Sequence, residues 1–508
     1  MRKVFDDYRA LSDQAIQARS PRRAAFLEAM GKSLRSGENR AFWLPYVLSL
    51  DMCMKCGTCA EVCPLYLSSG RNALYHPVYR SDMLRKVYRR YFTLSGKLFP
   101  KVVGAEDLTE EKLDAMAENF YRCTVCRRCA YVCPVAIDNG LLAREGRKIF
   151  DAIGIAPDEL KEKGTRLQLE AGNATGVKTP AFRDMVEFME EDLQDTRGYQ
   201  VQIPVDKKGA EYLVMHNTGD YPAFSETVMG AAEIFQAAGA DWTVNSPDTG
   251  INDVVNYGVF FSDTEFEKVA RAQVRTVREL GARVLVIGEC GHAFEAMKYL
   301  IQRLIPAEER PFEVKSILEV YDEWIREGRI ELDPAKNPEP VVYHDSCKAG
   351  RLGGLYEEPR RILKSACLDL REMTPNRELS YCCGGGSGFA IMSKGDFLKF
   401  RMETYGKIKE EQIRQTGAGV VALACSNCKG QFRDIINYYH LPVRIAGISE
   451  LVANALVRGR DRRSEGITFA QAGGGSAARE VREDHDHRGV VASPAREGDP
   501  RPGFQERA

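Results

Sequence analysis

The sequence predicts a mixed α+β and α/β chain, with a helical domain folded around two cysteine runs followed by two copies of one α/β unit. Three observations carry that expectation. The run Cys53-x2-Cys56-x2-Cys59-x3-Cys63-Pro64 returns with identical spacing as Cys123-x2-Cys126-x2-Cys129-x3-Cys133-Pro134. From Glu211 onward, short apolar strands alternate with amphipathic helices, the pattern of parallel-sheet units. Inside that region one order of elements occurs twice. Asp263 leads a helix with apolar positions Phe266, Val269, Val274, Val277 and Leu280, followed by Gly281-Ala282, the strand Val284–Ile287 and the turn Glu289-Cys290-Gly291-His292. Asp396 likewise leads a long helix to Gln415, followed by Gly417-Ala418-Gly419, the strand Val420–Leu423 and the turn Cys425-Ser426-Asn427-Cys428. Strands at 212–215 and 341–343 open the two copies.

At 508 residues, 44% hydrophobic and 28% charged, the composition is that of a globular protein of two to four domains. A net charge of -1 gives nucleic acid no electrostatic footprint to bind. No run of about 18 apolar residues occurs, and Met1 to Asp7 lack the apolar core of a signal peptide. The expectation is a cytoplasmic chain, with any membrane association made through partner subunits. Fifteen cysteines spaced as metal ligands, and not as a secreted disulfide framework, fit a reducing compartment.

In order along the chain, residues 1–50 read as a helical or docking segment, with a basic stretch at 19–23 that is a docking arm or, more simply, a solvated face. Residues 51–150 hold both cysteine runs, separated by an insert rich in Tyr and basic residues at 75–91 that is expected to pack on the small core. A charged helical linker spans 151–205. The first α/β copy spans 206–335 and the second 336–457. Residues 458–508, rich in Gly, Arg, Asp and Glu, read as a disordered tail, where His485 and His487 make at most a weak metal site.

Each cysteine run matches the bacterial ferredoxin pattern, whose three close cysteines wrap one [4Fe-4S] cubane while the fourth reaches the other cluster. By that rule one cluster takes Cys53, Cys56, Cys59 and Cys133, and the other takes Cys123, Cys126, Cys129 and Cys63. Zinc knuckles pair two ligands at a time, and disulfides have no need of one spacing twice, so neither explains the runs.

The second α/β copy adds Cys347, the pair Cys382-Cys383 and Cys425-x2-Cys428, five thiols where structural zinc is closed by four ligands. A fifth thiolate points to a further cluster with an unusual or open iron. The first copy has Asn217-Thr218-Gly219 in place of Cys347 and Tyr257-Gly258 in place of Cys382-Cys383, and only Cys290 remains. It keeps the scaffold and has lost the cluster.

The series Cys347, then Cys382-Cys383-Gly384 after 34 residues, then Cys425-x2-Cys428 after 41, resembles the cysteine-rich CCG domain of heterodisulfide reductases. Two ferredoxin runs, one degenerate CCG copy and one intact copy together resemble the DsrK-type, HdrD-related catalytic subunits of membrane-bound DsrMKJOP complexes. The resemblance covers roughly 50–455. It implies three [4Fe-4S] clusters, the third, held by Cys347, Cys382, Cys383, Cys425 and Cys428, being the special catalytic one, noncubane or open at one iron. It also implies docking on a membrane cytochrome b subunit (DsrM-like) that exchanges electrons with quinone, and action on the disulfide or trisulfide of the small sulfur carrier DsrC.

Several neighbours invite a role. His344, Asp345 and Lys348 flank Cys347 and are read as proton donors to a leaving thiolate or as hydrogen bonders that tune the cluster. His292 is read either as lining a cleft between the copies or as structural. Cys290 is a further ligand or a vestige, and Cys367 an ordinary buried thiol. Gly384-Gly385-Gly386-Ser387-Gly388 lacks the Lys-Ser/Thr ending of a phosphate loop, which leaves close backbone approach to a cluster as its explanation. Two other functions share these motifs: an electron-relay subunit of a flavin-linked hydroxy-acid or glycerol-3-phosphate dehydrogenase, and a non-catalytic docking scaffold. The relay subunits keep both CCG copies, and a scaffold has no need of five cysteines.

Overall fold

The computed structural model describes residues 22–458. The tail with His485 and His487, and the first part of the basic stretch, lie outside them. The expected fold class is observed, a helical cysteine domain followed by two small parallel-sheet units.

The cysteine domain is built around the helix Asn139–Ala152, which is buried on nearly every side. Asp138 caps it by accepting from the Leu141 amide at 2.9 Å. Against it pack the helices Pro77–Phe92 and Glu110–Tyr121. The latter starts on a Thr109 cap and carries Glu110 and Glu111 in its first turn, favourable at the positive end of the helix dipole. Gly146 lets these two helices touch, since a Cβ there would stand 2.1 Å from the Phe120 ring. The insert at 75–91 supplies Leu84 and Val87 to this core. Residues 22–51 belong to it as well. Phe26, Met30, Tyr46 and Leu50 are fully buried in it, and both of their helices, Arg22–Ser33 and Trp43–Asp51, lie on Asn139–Ala152.

The first α/β unit contains β1 (Tyr212–Met215), β2 (Trp242–Thr243), β3 (Val284–Ile287) and β4 (Glu313–Ser316), in the parallel order β2-β1-β3-β4. The second contains β5 (Val341–His344), β6 (Leu370–Glu372), β7 (Val420–Leu423) and β8 (Arg444–Gly447), in the matching order β6-β5-β7-β8. Central strands β3 and β7 are buried at every position, as strands covered on both faces must be. The copies pack by exchange: the helix Ser225–Ala237 of the first lies on Ile448–Ala455 of the second, and Ile317–Arg326 of the first lies on Glu357–Ala366 of the second. Gly230 permits the first contact, because a Cβ there would meet the Ser449 carbonyl at 2.6 Å. Tyr321 and Ser449 join their hydroxyls across the seam at 3.0 Å.

One element differs from expectation. The helix expected from Asp396 to Gln415 is interrupted by a π-type segment at Met402–Gly406. Such bulges re-aim side chains, and this one includes Tyr405, whose hydroxyl donates to the Arg122 carbonyl at 3.3 Å. No helix of the described residues is long and apolar enough to cross a membrane.

Candidate metal centre

The two ferredoxin runs form separate thiol groups. Cys53, Cys56, Cys59 and Cys133 line one small cavity, which brings the fourth cysteine of the second run to the first. Cys63 lies close enough to Cys123 and Cys126 for their charges to act on it, and Cys129 feels both of those and Cys63. Donors already point at the sulfurs: Ile137 N–H to Cys133 at 3.2 Å, Val125 N–H to Cys123 at 3.4 Å and Asn139 Nδ2 to Cys59 at 3.6 Å. Arg80 and Arg85 are buried beside the two groups. Buried cations and amide donors around crowded thiols suit anionic clusters.

The five thiols of the second α/β unit meet at the C-terminal ends of its strands. Cys347 opens the helix Cys347–Arg351 after β5, and Cys425 caps the helix Ser426–Tyr439 after β7, with Cys428 in its first turn. Helix N-termini favour thiolates. Cys382 and Cys383 arrive on the glycine loop, whose backbone turns onto its own sulfurs: the Gly384 and Gly385 amides donate to Cys382 and Cys383, each at 3.4 Å. A Cβ on Gly385 would meet the Asn427 carbonyl at 2.7 Å, so the loop reaches the cysteine turn only with glycine there.

These thiols form one connected set. Cys383 and Cys428 have their sulfurs 3.4 Å apart, Cys428 reaches Cys425, and Cys382 reaches both Cys347 and Cys383. Cys382 also reaches Cys126 of the second ferredoxin run. Crowded thiols cannot all ionise alone. Hydrogen bonding among them, first of all with Cys382, holds Cys126 and Cys383 well below the usual thiol range, while Cys382 and Cys428 are pushed well above it by their hydrogen bonds with Cys126 and Cys383. A bound cationic centre would let all of them serve as thiolates, so the donor set fits an iron–sulfur cluster.

The residues singled out in the sequence fall into different places. His344 ends β5 beside Cys383 and Cys428, with its Nδ1 buried and unpartnered. Burial and then the Lys409 charge lower its pKa. Asp345 is clamped by Arg360 through both oxygens, at 2.8 and 3.0 Å. Lys348 pairs with Glu295 at 2.7 Å and donates to the Val125 carbonyl at 3.0 Å. His292 is buried with both ring nitrogens engaged, Nε2 accepting from the Ser387 amide at 3.1 Å and Nδ1 meeting the Asn427 amide group. Burial pushes its pKa down to about 3. It is a strut between the glycine loop and the cysteine turn, not the lining of an open cleft. Cys290 caps its helix as Cys425 does and is buried close to Cys425. Cys367 is buried in the core between the copies.

Three residues that no sequence motif marks prove central. Arg147 donates to the carbonyls of Cys123, Phe260 (3.4 Å) and Ser387 (3.3 Å), joining the cysteine domain to both α/β copies. Arg351 donates to the Cys126 carbonyl at 2.7 Å. Lys409 lies fully buried near Cys383, donating to Gln412 Oε1 at 2.7 Å and to Met373 Sδ at 3.6 Å. Long basic side chains read as solvated in a sequence, and nothing local marks these as buried. The first copy braces the centre too. Lys429, next to Cys428, makes a buried ion pair with Glu289 at 2.7 Å, and Ser426 donates to Asp220 Oδ2 at 2.7 Å.

Residues 49–137 match the family described as 4Fe-4S dicluster domain, and residues 341–433 match the Cysteine-rich domain. Along most of its length the chain is similar to the Hdr-like menaquinol oxidoreductase iron-sulfur subunit 2 of Archaeoglobus fulgidus, with 28% identity over 477 residues, 85% of this chain and 83% of that protein. It is 25% identical over 434 residues to a subunit of the dihydromethanophenazine:CoB--CoM heterodisulfide reductase of Methanosarcina acetivorans, covering 84% of this chain and 99% of that one. A probable membrane-anchored ferredoxin of Chromohalobacter salexigens is 23% identical over 430 residues, 81% of this chain and 60% of that protein. No solved structure matches. The chain thus joins a 4Fe-4S dicluster domain to a cysteine-rich domain and is similar along most of its length to Hdr-like iron–sulfur oxidoreductase subunits.

Proposed function

We propose that this chain is the substrate-facing subunit of a membrane-associated complex, a DsrK-type protein. It moves electrons between a quinone-linked cytochrome b subunit and the disulfide or trisulfide of a DsrC-type carrier in dissimilatory sulfur metabolism. The observation that carries this reading is the contact of the Cys126 and Cys382 thiols, which sets the second ferredoxin run against the five-cysteine set. On this reading Cys53, Cys56, Cys59 and Cys133 hold one [4Fe-4S] cluster, Cys123, Cys126, Cys129 and Cys63 hold a second, and Cys347, Cys382, Cys383, Cys425 and Cys428 hold the third. Bound there, the clusters supply one-electron transfer to a sulfur–sulfur bond whose scission takes two electrons.

The residues divide the work by position. Cys56 is exposed, and Leu48, Met52 and Met54 beside the first run are exposed as well, an apolar face suited to a partner subunit. The five thiols at the other end are buried and shielded from water. The names of the relatives support both ends: one is a menaquinol oxidoreductase subunit, another a heterodisulfide reductase subunit.

Iron analysis with anaerobic EPR in the presence of a DsrC-type thiol tests the proposal. Expected are about 12 irons per chain, four per cluster, and a spectrum that changes when the thiol is added. A count of about 8, or a spectrum indifferent to the thiol, overturns it.

A further inference from the structure

The second α/β unit offers a nitrogen donor beyond its five thiols. His344 is buried at the end of β5, where pairing with Leu423 of β7 fixes its backbone and the Phe432 ring, centred 4.8 Å away, restrains its imidazole. A ring nitrogen, Cys383 Sγ and Cys428 Sγ all lie within 4.8 Å of one another, and the two sulfurs are 3.4 Å apart. Two thiolates on one tetrahedral metal stand about 3.8 Å apart, given bonds of about 2.3 Å. The trio therefore has the spacing of ligands to a single ion. The ring hydrogen-bonds Cys383, and its Nδ1 is buried with no partner.

We propose that His344 supplies an imidazole nitrogen to the iron that Cys383 and Cys428 share, so that the third cluster has mixed nitrogen and sulfur ligation. The first copy differs at this register, and its own buried histidine, His216, stands one residue further on. Met215 pairs with Ile287 there as His344 pairs with Leu423 in the second copy, so the position of the histidine is apolar where the cluster cysteines are missing. The consequence is electronic. A neutral imidazole contributes no negative charge, and histidine ligation of iron–sulfur centres raises their potential. The assignment rests on the proposed third cluster and is independent of the sulfur substrate.

Pulsed ENDOR on the anaerobically purified full chain, grown with unlabelled or 15N-labelled histidine, tests it at the EPR signal of this centre. Expected is a nitrogen coupling of the strength that a bound imidazole gives, responsive to the label and lost in His344→Ala, with the spectra of the other two clusters unchanged. A coupling only of hydrogen-bond strength, or one that persists in His344→Ala, overturns the assignment. If the variant fails to hold the third cluster, the labelled unsubstituted chain decides alone, since the other proposed ligands are all sulfur. A centre that ignores added thiol but shows the coupling rejects the proposed substrate and keeps the ligand.

Discussion

Arg351 donates its Nε to the Cys126 carbonyl oxygen at 2.7 Å. The four residues before Cys126 are held the same way: Tyr405 donates to the Arg122 carbonyl, Arg147 to Cys123, Ser387 to Thr124 and Lys348 to Val125. Side chains from other elements thus satisfy five consecutive carbonyls of an irregular loop, and all but Arg147 come from the second α/β unit. The loop needs that support, because Val125 and Arg127 sit at φ of 49° and 61°, where a side chain is strained. The grip holds Cys126 against Cys382.

Replacing Arg351 by Met leaves the carbonyls of Cys126, Glu378 and Ser380 without the donor they share. Stability is expected to fall by about 3 kcal/mol in anaerobic denaturant unfolding. Stopped-flow reduction of the proposed third cluster through the ferredoxin runs is expected to slow. Arg351→Lys should recover part of both losses, because one donor remains.

The Lys429–Glu289 pair joins the cysteine turn to the first copy with both partners buried. Lys429→Met strands a carboxylate in the seam and is expected to cost about 3–5 kcal/mol. Adding Glu289→Gln should return most of that loss, since two neutral groups leave no buried charge. Equal loss in the single and double variants would show that packing, not charge, holds the turn.

Asp220 sets a pH dependence. Burial pushes its carboxyl up to about 7, against the opposing pull of Lys429 and the Ser426 hydroxyl. An unfolded Asp titrates near about 3.9. Between those values the folded chain holds a proton that the unfolded chain has released, so stability falls as pH rises from about 4 to 7. Asp220→Asn is neutral throughout and escapes that fall. Relative to the unsubstituted chain it is expected to gain roughly 3 kcal/mol between pH 5 and pH 8, at about 1.4 kcal/mol per unit. Parallel unfolding curves at the two pH values check this, and a constant difference would refute it.

Local signals carried the reading of the cysteine runs and the repeat. Ligand spacing is set by a few bonds around one cluster, and Val284–Ile287 and Val420–Leu423 are unbroken apolar runs between glycines and cysteines. The Asp263–Leu280 helix announces both ends, with the Ser262 cap and Gly281 at φ 72°. Contacts made far along the chain left no such trace. Phe26 and Tyr46 look like part of a separate leading segment until the helix Asn139–Ala152 arrives to cover them. Lys409 stands in Lys407-Ile408-Lys409-Glu410-Glu411, which reads as a solvated helix face, and only packing against Met373 shows it to be interior.

Lys409 makes the last prediction. No carboxylate lies within ion-pair reach of it among the described residues, and burial pulls its ammonium down to about 8 while Cys383, Cys382, Asp345 and Cys428 pull it back. An isolated buried cation is costly, and five thiolates on a cluster would give it a counter-charge. The reduced cluster is the more negative state and gains more from a nearby cation. Lys409→Met is therefore expected to lower the midpoint potential of the proposed third cluster by about 40–90 mV, from an interaction of about 1–2 kcal/mol and about 59 mV per tenfold change. Lys409→Arg keeps the charge and should hold the potential near its original value. Redox titration followed by EPR separates the two, and equal shifts in both variants would show that Lys409 acts through packing alone.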